Sequence, residues 1–315
     1  MKPALRLVAT TIARRQCGAA VLVAMLVVAM AALAASSFMF RSQVEWRRLE
    51  NFMRVDQAHW VLRAAEQWGA AVLRDDARQS SVDHPGEVWA LQLPPVEAEG
   101  YRVSGKMDDQ DGRFNLNNLV TNGKIDARQV LIFTRLLRSL NLPEGLAVTA
   151  ADWLDDDDTP ENQESAESAY YAGRSPAYLA ANRPLISLNE LLRVKGFDSN
   201  VLKLLRPFVT TLPTRTVVNI NTARPEVMAA LVEGMSLTEA YAMVAKRERT
   251  YYRNIQDFQQ AMPQGLNPPT DLIAVSSSYF LVQARIRHER LSIGSHALFR
   301  RAGSNLPTLV WRAEL

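Results

Sequence analysis

The 315-residue sequence contains a single cysteine, Cys17, and the long chain that follows it has none. A disulfide within one chain and a zinc site built from several thiolates are therefore excluded, since both need at least two cysteines. The absence of cysteine from the rest of the chain suits an oxidising compartment.

Motifs of the common enzyme classes are also missing. The four histidines lack metal-ligand spacing, and there is no His-Glu-x-x-His motif, Walker loop or dinucleotide-binding glycine pattern. Residues 173–177, GRSPA, resemble a nucleophile turn only faintly, because a proline follows the serine and no buried strand precedes it. We therefore expect that the protein is not an enzyme.

Positive charge is scarce beyond the first 18 residues. The chain has a net charge of +3, but residues 1–18 hold four basic residues and no acid, which leaves −1 for the remainder. These four are Lys2, Arg6, Arg14 and Arg15. Binding to phosphate needs an excess of positive charge, so the remainder gives no support for nucleic-acid binding.

Residues 19–40 contain no charged residue, no glycine and no proline. A helix of this length, at about 1.5 Å per residue, can cross the hydrocarbon core of a bilayer. The basic residues that precede it favour a cytoplasmic N-terminus and place everything after residue 40 on the far side. We predict a membrane-spanning helix over residues 19–40.

An ordinary secretory signal is an alternative for this segment, because residues 32–34, Ala-Leu-Ala, match a small-x-small cleavage pattern. Helical spacing of apolar residues, however, continues to about residue 73, and no glycine intervenes between Gly18 and Gly69. The predicted apolar stripe comprises Trp46, Leu49, Met53, Trp60, Ala64, Trp68 and Val72. This pattern predicts one long helix whose second half packs on a globular domain.

Strand and helix patterns alternate in the remaining chain. A hairpin is predicted with arms at residues 101–107 and 114–116. Helical spacing dominates residues 120–212, and alternating apolar residues then predict strands at 216–222, 277–293 and 308–315. The simplest organisation is an α/β domain interrupted by helices.

The basic segment ending in Gly18, with the apolar span and long helix after it, resembles the N-terminus of type IV pilin-like proteins. In that family a prepilin peptidase cuts after the glycine and methylates the new N-terminus, which here implies Ala19. The fifth mature residue is usually Glu, which pairs with the amine of a neighbouring subunit; here it is Val23. A subunit without this carboxylate fits the filament tip, where it has no buried amine ahead of it to neutralise.

Four further segments follow in a fixed order: GRFNLNNLV, DWLDDDDTP, LLRVKGF and VNINTA. Together with Val23, they resemble the general secretion pathway protein K family, the large minor pseudopilins of type II secretion systems, over essentially the whole chain. The implied fold class is α+β, with a long N-terminal helix packed on a pilin-like antiparallel sheet and a large helical insert. The implied division is leader 1–18, helix 19–75, pilin-like part 76–120, insert 121–212 and second pilin-like part 213–315.

The resemblance also implies a location and partners. The chain would be a single-pass protein of the bacterial inner membrane, with its N-terminus in the cytoplasm and its C-terminal domain in the periplasm. Implied partners are the minor pseudopilins I, J and H, the major pseudopilin, the prepilin peptidase and secreted cargo. The implied function is to cap the pseudopilus, help start its assembly and support export of folded proteins across the outer membrane.

The densest acidic stretch is residues 152–171, DWLDDDDTPENQESAESAYY. Crowded carboxylates repel one another unless a cation lies among them, and Ca²⁺ accepts six to eight oxygen ligands. The spacing does not fit an EF-hand, because Pro160 falls near the position of the turn glycine. A solvated acidic loop without an ion is the alternative interpretation.

Members of the K family bind calcium in this region, and the resemblance implies Asp155, Asp157 and Glu167 as ligands. Asp152 and Glu164 are further candidates, for one or two ions. The family's Gly-Ala-Glu-Asp is Ser-Ala-Glu-Ser at residues 165–168 here, so the final aspartate is missing.

Residues 191–208 and 219–248 resemble helix-hairpin-helix modules, which hold DNA phosphate on backbone amides. Such hairpins usually need two glycines, whereas these segments have one each, Gly196 and Gly234. The alternative function is thus a periplasmic or membrane-anchored binding protein with structural helical hairpins, and we expect no nucleic-acid partner.

Overall fold

The computed structural model describes residues 17–163, 166–289 and 291–315. The chain forms two compact units that divide between Ala58 and His59. Residues 1–16 of the predicted leader lie outside the described residues.

The long N-terminal helix predicted from the sequence is present. Helix α1 spans Cys17–Gln79. From Ala19 onward it is long and apolar enough to cross a membrane, judged by length and composition. In the first unit its apolar side chains are exposed, and charged residues from Glu45 onward form ion pairs along the helix, such as Arg54 with Glu50 at 2.8 Å.

Seven shorter helices follow within the described residues of the second unit. They are α2 (Ala127–Ser139), α3 (Leu146–Asp152), α4 (Ser168–Ala172), α5 (Ser199–Leu205), α6 (Pro225–Leu231), α7 (Leu237–Arg249) and α8 (Ile255–Ala261). Short 3-10 turns lie at Val88–Ala90, Leu116–Leu119 and Leu188–Arg193.

The main sheet has five antiparallel strands in the order β1-β2-β9-β10-β11. Its strands are β1 (Leu93–Ala98), β2 (Tyr101–Asp109), β9 (Tyr279–His288), β10 (Leu291–Arg300) and β11 (Thr308–Glu314). The other strands form two-residue pairs: β3 (Phe114–Asn115) with β6 (Val209–Thr210), β4 (Val120–Thr121) with β5 (Lys124–Ile125), and β7 (Val218–Asn219) with β8 (Ile273–Ala274). The alternating pattern therefore correctly predicted β9 and β11, but the predicted strand at 277–293 covers only the first three residues of β10.

The second half of α1 packs on the sheet through a face that differs from the predicted stripe. Leu62, Ala70 and Leu73 are buried, whereas Trp60 and Trp68 are 62% and 51% exposed. A Cβ at Gly69 would lie only 3.2 Å from Val282 Cγ1, so the helix approaches the strand closely there. The prediction that the tryptophans pack inward is wrong, because the small residue Gly69 beside Trp68 lets the helix contact the strand more closely.

Glu66 lies on the same buried face of α1 and is fully buried. Its Oε1 accepts a hydrogen bond from Ser295 Oγ at 2.6 Å, and its Oε2 accepts one from Arg312 Nε at 2.7 Å. A buried carboxylate is tolerated only when it is paired in this way. The pair therefore connects α1 to β10 and β11.

The predicted hairpin between residues 101–107 and 114–116 is wrong. Strand β2 pairs with β1 and β9, whereas β3 pairs in parallel with β6. Phe114 and Leu116 are instead buried in a core that they share with the shorter helices. The part of the chain that forms this core, from Phe114 to Ile273, is here called the helical region. Gly112 permits the chain to turn there, because a Cβ at this position would lie 2.5 Å from Thr222 Oγ1.

The helices share one hydrophobic core that extends from Phe114 to Ile273. This core includes α6, α7 and α8, which come after residue 212, the predicted end of the insert. Arg135 Nε of α2 donates to the carbonyl oxygen of Ala230 in α6 at 2.8 Å. The helical region is thus larger than the sequence pattern indicated, because the strand signal at residues 216–222 belongs to a two-residue pair within it.

The helical region begins and ends at neighbouring strands. Asp109 of β2 lies opposite Phe280 of β9. Gln110 N donates to Tyr279 O at 2.9 Å, and Tyr279 N donates to Asp111 Oδ2 at 3.2 Å. The segment that leaves β2 and the segment that enters β9 are therefore hydrogen-bonded to each other.

A buried ion-pair cluster, here called the Arg301 cluster, lies where α1 ends. Arg301 Nη1 contacts Asp76 at 2.9 Å, and Arg301 Nη2 donates to both carboxylate oxygens of Asp83, whose side chain is 2% exposed. Burial, Glu87 and Asp83 together raise the pKa of Asp76 to about 6, against the opposing effect of Arg301. The cluster fixes the end of α1 to the segment after β10.

Candidate cation site and membrane helix

The acidic stretch begins at the end of α3 and runs to the start of α4. Asp152 is the last residue of α3, and Glu167 is the residue before α4. Trp153 and Leu154 point into the hydrophobic core, which draws their acidic neighbours inward with them. Asp152, Asp155 and Glu167 are consequently buried, with exposures of 0%, 4% and 3%.

The buried carboxylates have oxygen atoms that no described residue satisfies. Asp155 Oδ1 and both carboxylate oxygens of Glu167 are buried and lack a hydrogen-bond partner among the described residues. Glu167 also makes no side-chain capping bond to α4. Buried polar atoms normally have partners, so these oxygens are available to accept a cation.

The electrostatics of these groups agree with that arrangement. Burial, followed by repulsion from Asp152 and Asp157, raises the pKa of Asp155 to about 7. Burial and repulsion from Asp152 and Asp155 raise the pKa of Glu167 to about 8. A divalent cation at this position would favour the ionised carboxylates and reverse these shifts.

The other predicted ligands are placed differently. Asp157 is exposed, and its Oδ1 accepts a hydrogen bond from Thr159 N at 2.8 Å. Glu164 lies outside the described residues. Asp152, Asp155 and Glu167 repel one another within one buried region, and Asp157 lies near them at the surface. Their carboxylate oxygens do not all lie within 4.8 Å of one another, so a bound ion would need to draw them closer together.

Asn182 is a polar neighbour that the sequence analysis missed. Its Nδ2 donates to the carbonyl oxygen of Asp157 at 3.2 Å, while its Oδ1 is buried and lacks a hydrogen-bond partner among the described residues. Amide oxygens are calcium ligands as carboxylates are. No acidic pattern marks Asn182, which is distant from the acidic stretch in sequence and joins it only through the fold.

Aromatic rings form one wall of this region. Trp153 makes an edge contact with Tyr171 at a centroid distance of 4.9 Å, and Tyr171 stacks on Tyr178 at 5.3 Å. Burial raises the pKa of Tyr171 to about 12. Trp153 and Tyr171 are buried in the hydrophobic core and lie close in sequence to Asp152 and Glu167, so they contribute to the burial of this region.

A second group of carboxylates is neutralised by an arginine and not by a metal ion. Asp76, Asp83 and Glu87 have carboxylate oxygens within 4.8 Å of one another. Arg301 contacts the first two, so positive charge is already supplied there. This group is a structural ion-pair cluster, and the sequence pattern had not indicated it.

The predicted processing residues lie at the start of α1. Gly18 and Ala19 are in its first turn, and Val23 is 60% exposed one turn later. The cut after Gly18 stays a prediction, as does the role of Val23 in assembly.

Comparisons with known proteins agree with the fold and the motifs. The family model described as type II secretion system protein K matches in two parts, at residues 112–214 and 218–276. A type II secretion system protein K of Pseudomonas aeruginosa is 35% identical, with 87% of this chain and 85% of that protein covered. One from Aeromonas hydrophila is 32% identical, with 85% of this chain and 87% of that protein covered.

A solved structure shares the fold. The GspK-GspI-GspJ complex from the type 2 secretion system of enterotoxigenic Escherichia coli contains a chain with a TM-score of 0.75 and 23% sequence identity. The match covers 85% of this chain and 99% of that one. On the family model and the relatives together, the chain belongs to the type II secretion system protein K family.

Proposed function

We propose that this protein is a minor pseudopilin at the tip of the type II secretion pseudopilus, where it helps to start assembly and export of folded proteins across the outer membrane. The observation that carries the proposal is the uncharged first part of α1, in which Val23 stands where most pilin-like proteins have Glu. A subunit without that carboxylate cannot neutralise the buried amine of a subunit ahead of it, and at the tip it has none. The N-terminus would lie in the cytoplasm and the second unit in the periplasm.

Minor pseudopilins I and J are the proposed direct partners, with H and the major pseudopilin further along the filament and secreted cargo beyond its tip. The related solved structure is a complex of K, I and J.

An apolar groove on the second unit suits packing against such a partner. Val61, Ala64 and Trp68 of α1 line one wall, Leu91 and Val96 line the other, and the cavity volume is about 450 Å³.

A charged residue in this groove is expected to weaken partner assembly. Trp68→Glu should lower the amount of I and J recovered with the full chain about tenfold, because a buried interface charge needs a partner. The melting temperature of the chain alone should change little, since Trp68 is half exposed. Co-purification from detergent-solubilised membranes measures the first quantity, and thermal unfolding measures the second.

Leu204→Glu is the matched control, because Leu204 is 52% exposed on α5 of the helical region. It should leave recovery of I and J unchanged. Equal loss in both variants, or no loss in Trp68→Glu, would mean that this groove is not the packing surface.

Processing provides the direct test of the pilin-like assignment. In cells with an active prepilin peptidase, the intact mass and N-terminal sequence should show a methylated chain that begins at Ala19. In a strain without the peptidase, and in a Gly18→Leu variant in either strain, the leader should be retained. A chain that begins at residue 35 in both strains would indicate an ordinary secretory signal and contradict the proposed function.

We further infer that calcium binds at Asp152, Asp155 and Glu167, with Asp157 and Asn182 as additional oxygen donors. All these groups are hard oxygen ligands of the type that Ca²⁺ prefers. The carboxylate oxygens that lack partners support one ion. The ion would hold the loop between α3 and α4 against the aromatic wall and would have no catalytic task.

A further inference from the structure

The outer face of the main sheet, opposite to α1, is positively charged. On β9, Val282 and Ile286 are buried toward α1, while Arg285 and Arg287 alternate with them and are exposed. Arg102 of β2 lies directly opposite Arg287 in the strand register. These three arginines are here called the basic face.

The positive charge of the basic face is poorly balanced. Arg285 and Arg287 make no ion pair with any carboxylate in the described part of the chain. Arg102 reaches only Glu97, at 3.9 Å and with both side chains well exposed. Like charges directly opposite each other on a sheet are destabilising, so the Arg102–Arg287 pair costs stability unless an anion lies between them.

A shallow cavity lies among these arginines. It has a volume of about 370 Å³, and its lining includes Ser104, Gly294 and His296 beside the basic face. A Cβ at Gly294 would lie 3.4 Å from Ala284 O and 3.9 Å from Arg285 Nε, so a side chain there would crowd the arginine. Leu315 borders the cavity on that side, where its N donates to Gly294 O at 2.8 Å, and the absence of a side chain at Gly294 leaves space beside Arg285.

The spacing of the arginines favours an extended polypeptide as the occupant. Arg285 and Arg287 are two residues apart on one strand, so their side chains leave the sheet about 7 Å apart. Alternate side chains of an extended peptide have the same repeat. A guanidinium group binds a carboxylate through two parallel hydrogen bonds, which suits it to pair with Asp or Glu.

We propose that the basic face binds an extended acidic segment of a partner protein, with acidic residues at alternate positions seated on Arg285 and Arg287. Lys106 lies at the edge of this surface, and its charge is already paired with Asp108 at 2.8 Å. This surface is distinct from the apolar groove and does not depend on the pseudopilin assignment.

The experiment uses the full chain in an uncharged detergent and a fluorescein-labelled peptide in which Asp alternates with Ser. Fluorescence anisotropy at low salt should show binding, and Arg285→Ser with Arg287→Ser should weaken it at least about tenfold. A peptide of the same composition with its acidic residues in one block should bind several-fold more weakly. Binding should also fall as salt is added, because exposed charges are screened.

The matched control is Lys246→Ser with Arg249→Ser, which removes the same charge from exposed positions on α7. It should leave the affinity within about twofold. Arg287→Ser alone should raise the melting temperature by roughly 1–3 °C, because it removes the repulsion from Arg102.

Three results would overturn the proposal. Equal weakening in the two double variants would show that binding follows net charge alone. Equal binding of the alternating and block peptides would show that the spacing of Arg285 and Arg287 does not select alternate acidic residues. Competition by glycerol phosphate at the concentration of the peptide itself would identify a site for phosphate headgroups and not for an acidic protein segment.

Discussion

A chain with Arg301 replaced by methionine is expected to melt about 10 °C below the unmodified protein. Removing one member of a buried ion pair costs about 3–5 kcal/mol, because the other charge stays buried without a partner. In a domain of this size, each kcal/mol shifts the melting temperature by roughly 2–4 °C. Thermal unfolding followed by circular dichroism measures the change.

The large effect follows from the number of segments that Arg301 holds. Its guanidinium contacts Asp76 at the end of α1, Asp83 in the next segment and Ser277 O before β9, the last at 3.0 Å. It also lies 4.6 Å from the ring centre of Phe280. Methionine retains some packing against that ring but supplies none of the hydrogen bonds.

Two variants separate the ion pair from other effects. Arg300→Met changes the exposed neighbouring arginine and should leave the melting temperature within about 2 °C, since exposed charges contribute little. Asp83→Asn combined with Arg301→Met should recover part of the lost melting temperature. The reason is that residue 83 then carries no buried charge that needs Arg301 as a partner. A melting temperature for Arg301→Met that equals that of Arg300→Met would contradict the role assigned to the cluster.

Calcium is expected to raise the melting temperature of the full chain by roughly 5–10 °C at a concentration about 100-fold above its dissociation constant. Binding to the folded state alone contributes about 2.7 kcal/mol under that condition. Asp155→Asn and Glu167→Gln should each abolish most of this gain, because each removes a buried charged ligand. Thermal unfolding with calcium and with a chelator measures the difference.

The same site predicts a pH dependence with a definite sign. Burial raises the pKa of Asp155 to about 7 and that of Glu167 to about 8 in the ion-free chain. The stability that the protonated groups give the ion-free protein is present below about pH 4 and is lost as the pH rises through these values. Calcium needs the ionised forms, so the gain from calcium should be larger at about pH 8 than at about pH 6.

Glu248→Gln is the control for the calcium experiments, because Glu248 is an exposed carboxylate on α7 outside the acidic stretch. Its response to calcium should equal that of the unmodified chain. Titration calorimetry should give one ion per chain. A melting temperature that is the same with calcium and with chelator, together with no heat of binding, would leave the solvated acidic loop as the better interpretation.

Local sequence patterns predicted the elements that depend on the spacing or composition of a single segment. The lack of glycine and proline indicated α1, and alternating apolar residues indicated β9. The crowding of carboxylates indicated the acidic stretch, and the structure buries Asp155 and Glu167 there. Each of these signals follows from the period of a single element or from composition alone.

The failures concern contacts between distant residues. Glu66 looks like a solvent-facing residue of α1 until Arg312, at the other end of the chain, is placed beside it. The tryptophans of α1 suggested the buried face, but close packing at Gly69 favoured a neighbouring one. Asn182 joins the acidic stretch only after the chain between them has folded back.

The position of the helical region between β2 and β9 has a consequence for the order of folding. Asp109 and Phe280 are paired neighbours in the sheet, yet all of the helical region lies between them in sequence. Closing so long a loop in an unfolded chain is entropically costly and slow. If the helical region folds first, its two ends are already adjacent and β2 can meet β9 as though they were joined by a short turn. If the proposed calcium ion binds, it would favour that fold and so promote the pairing of β2 with β9.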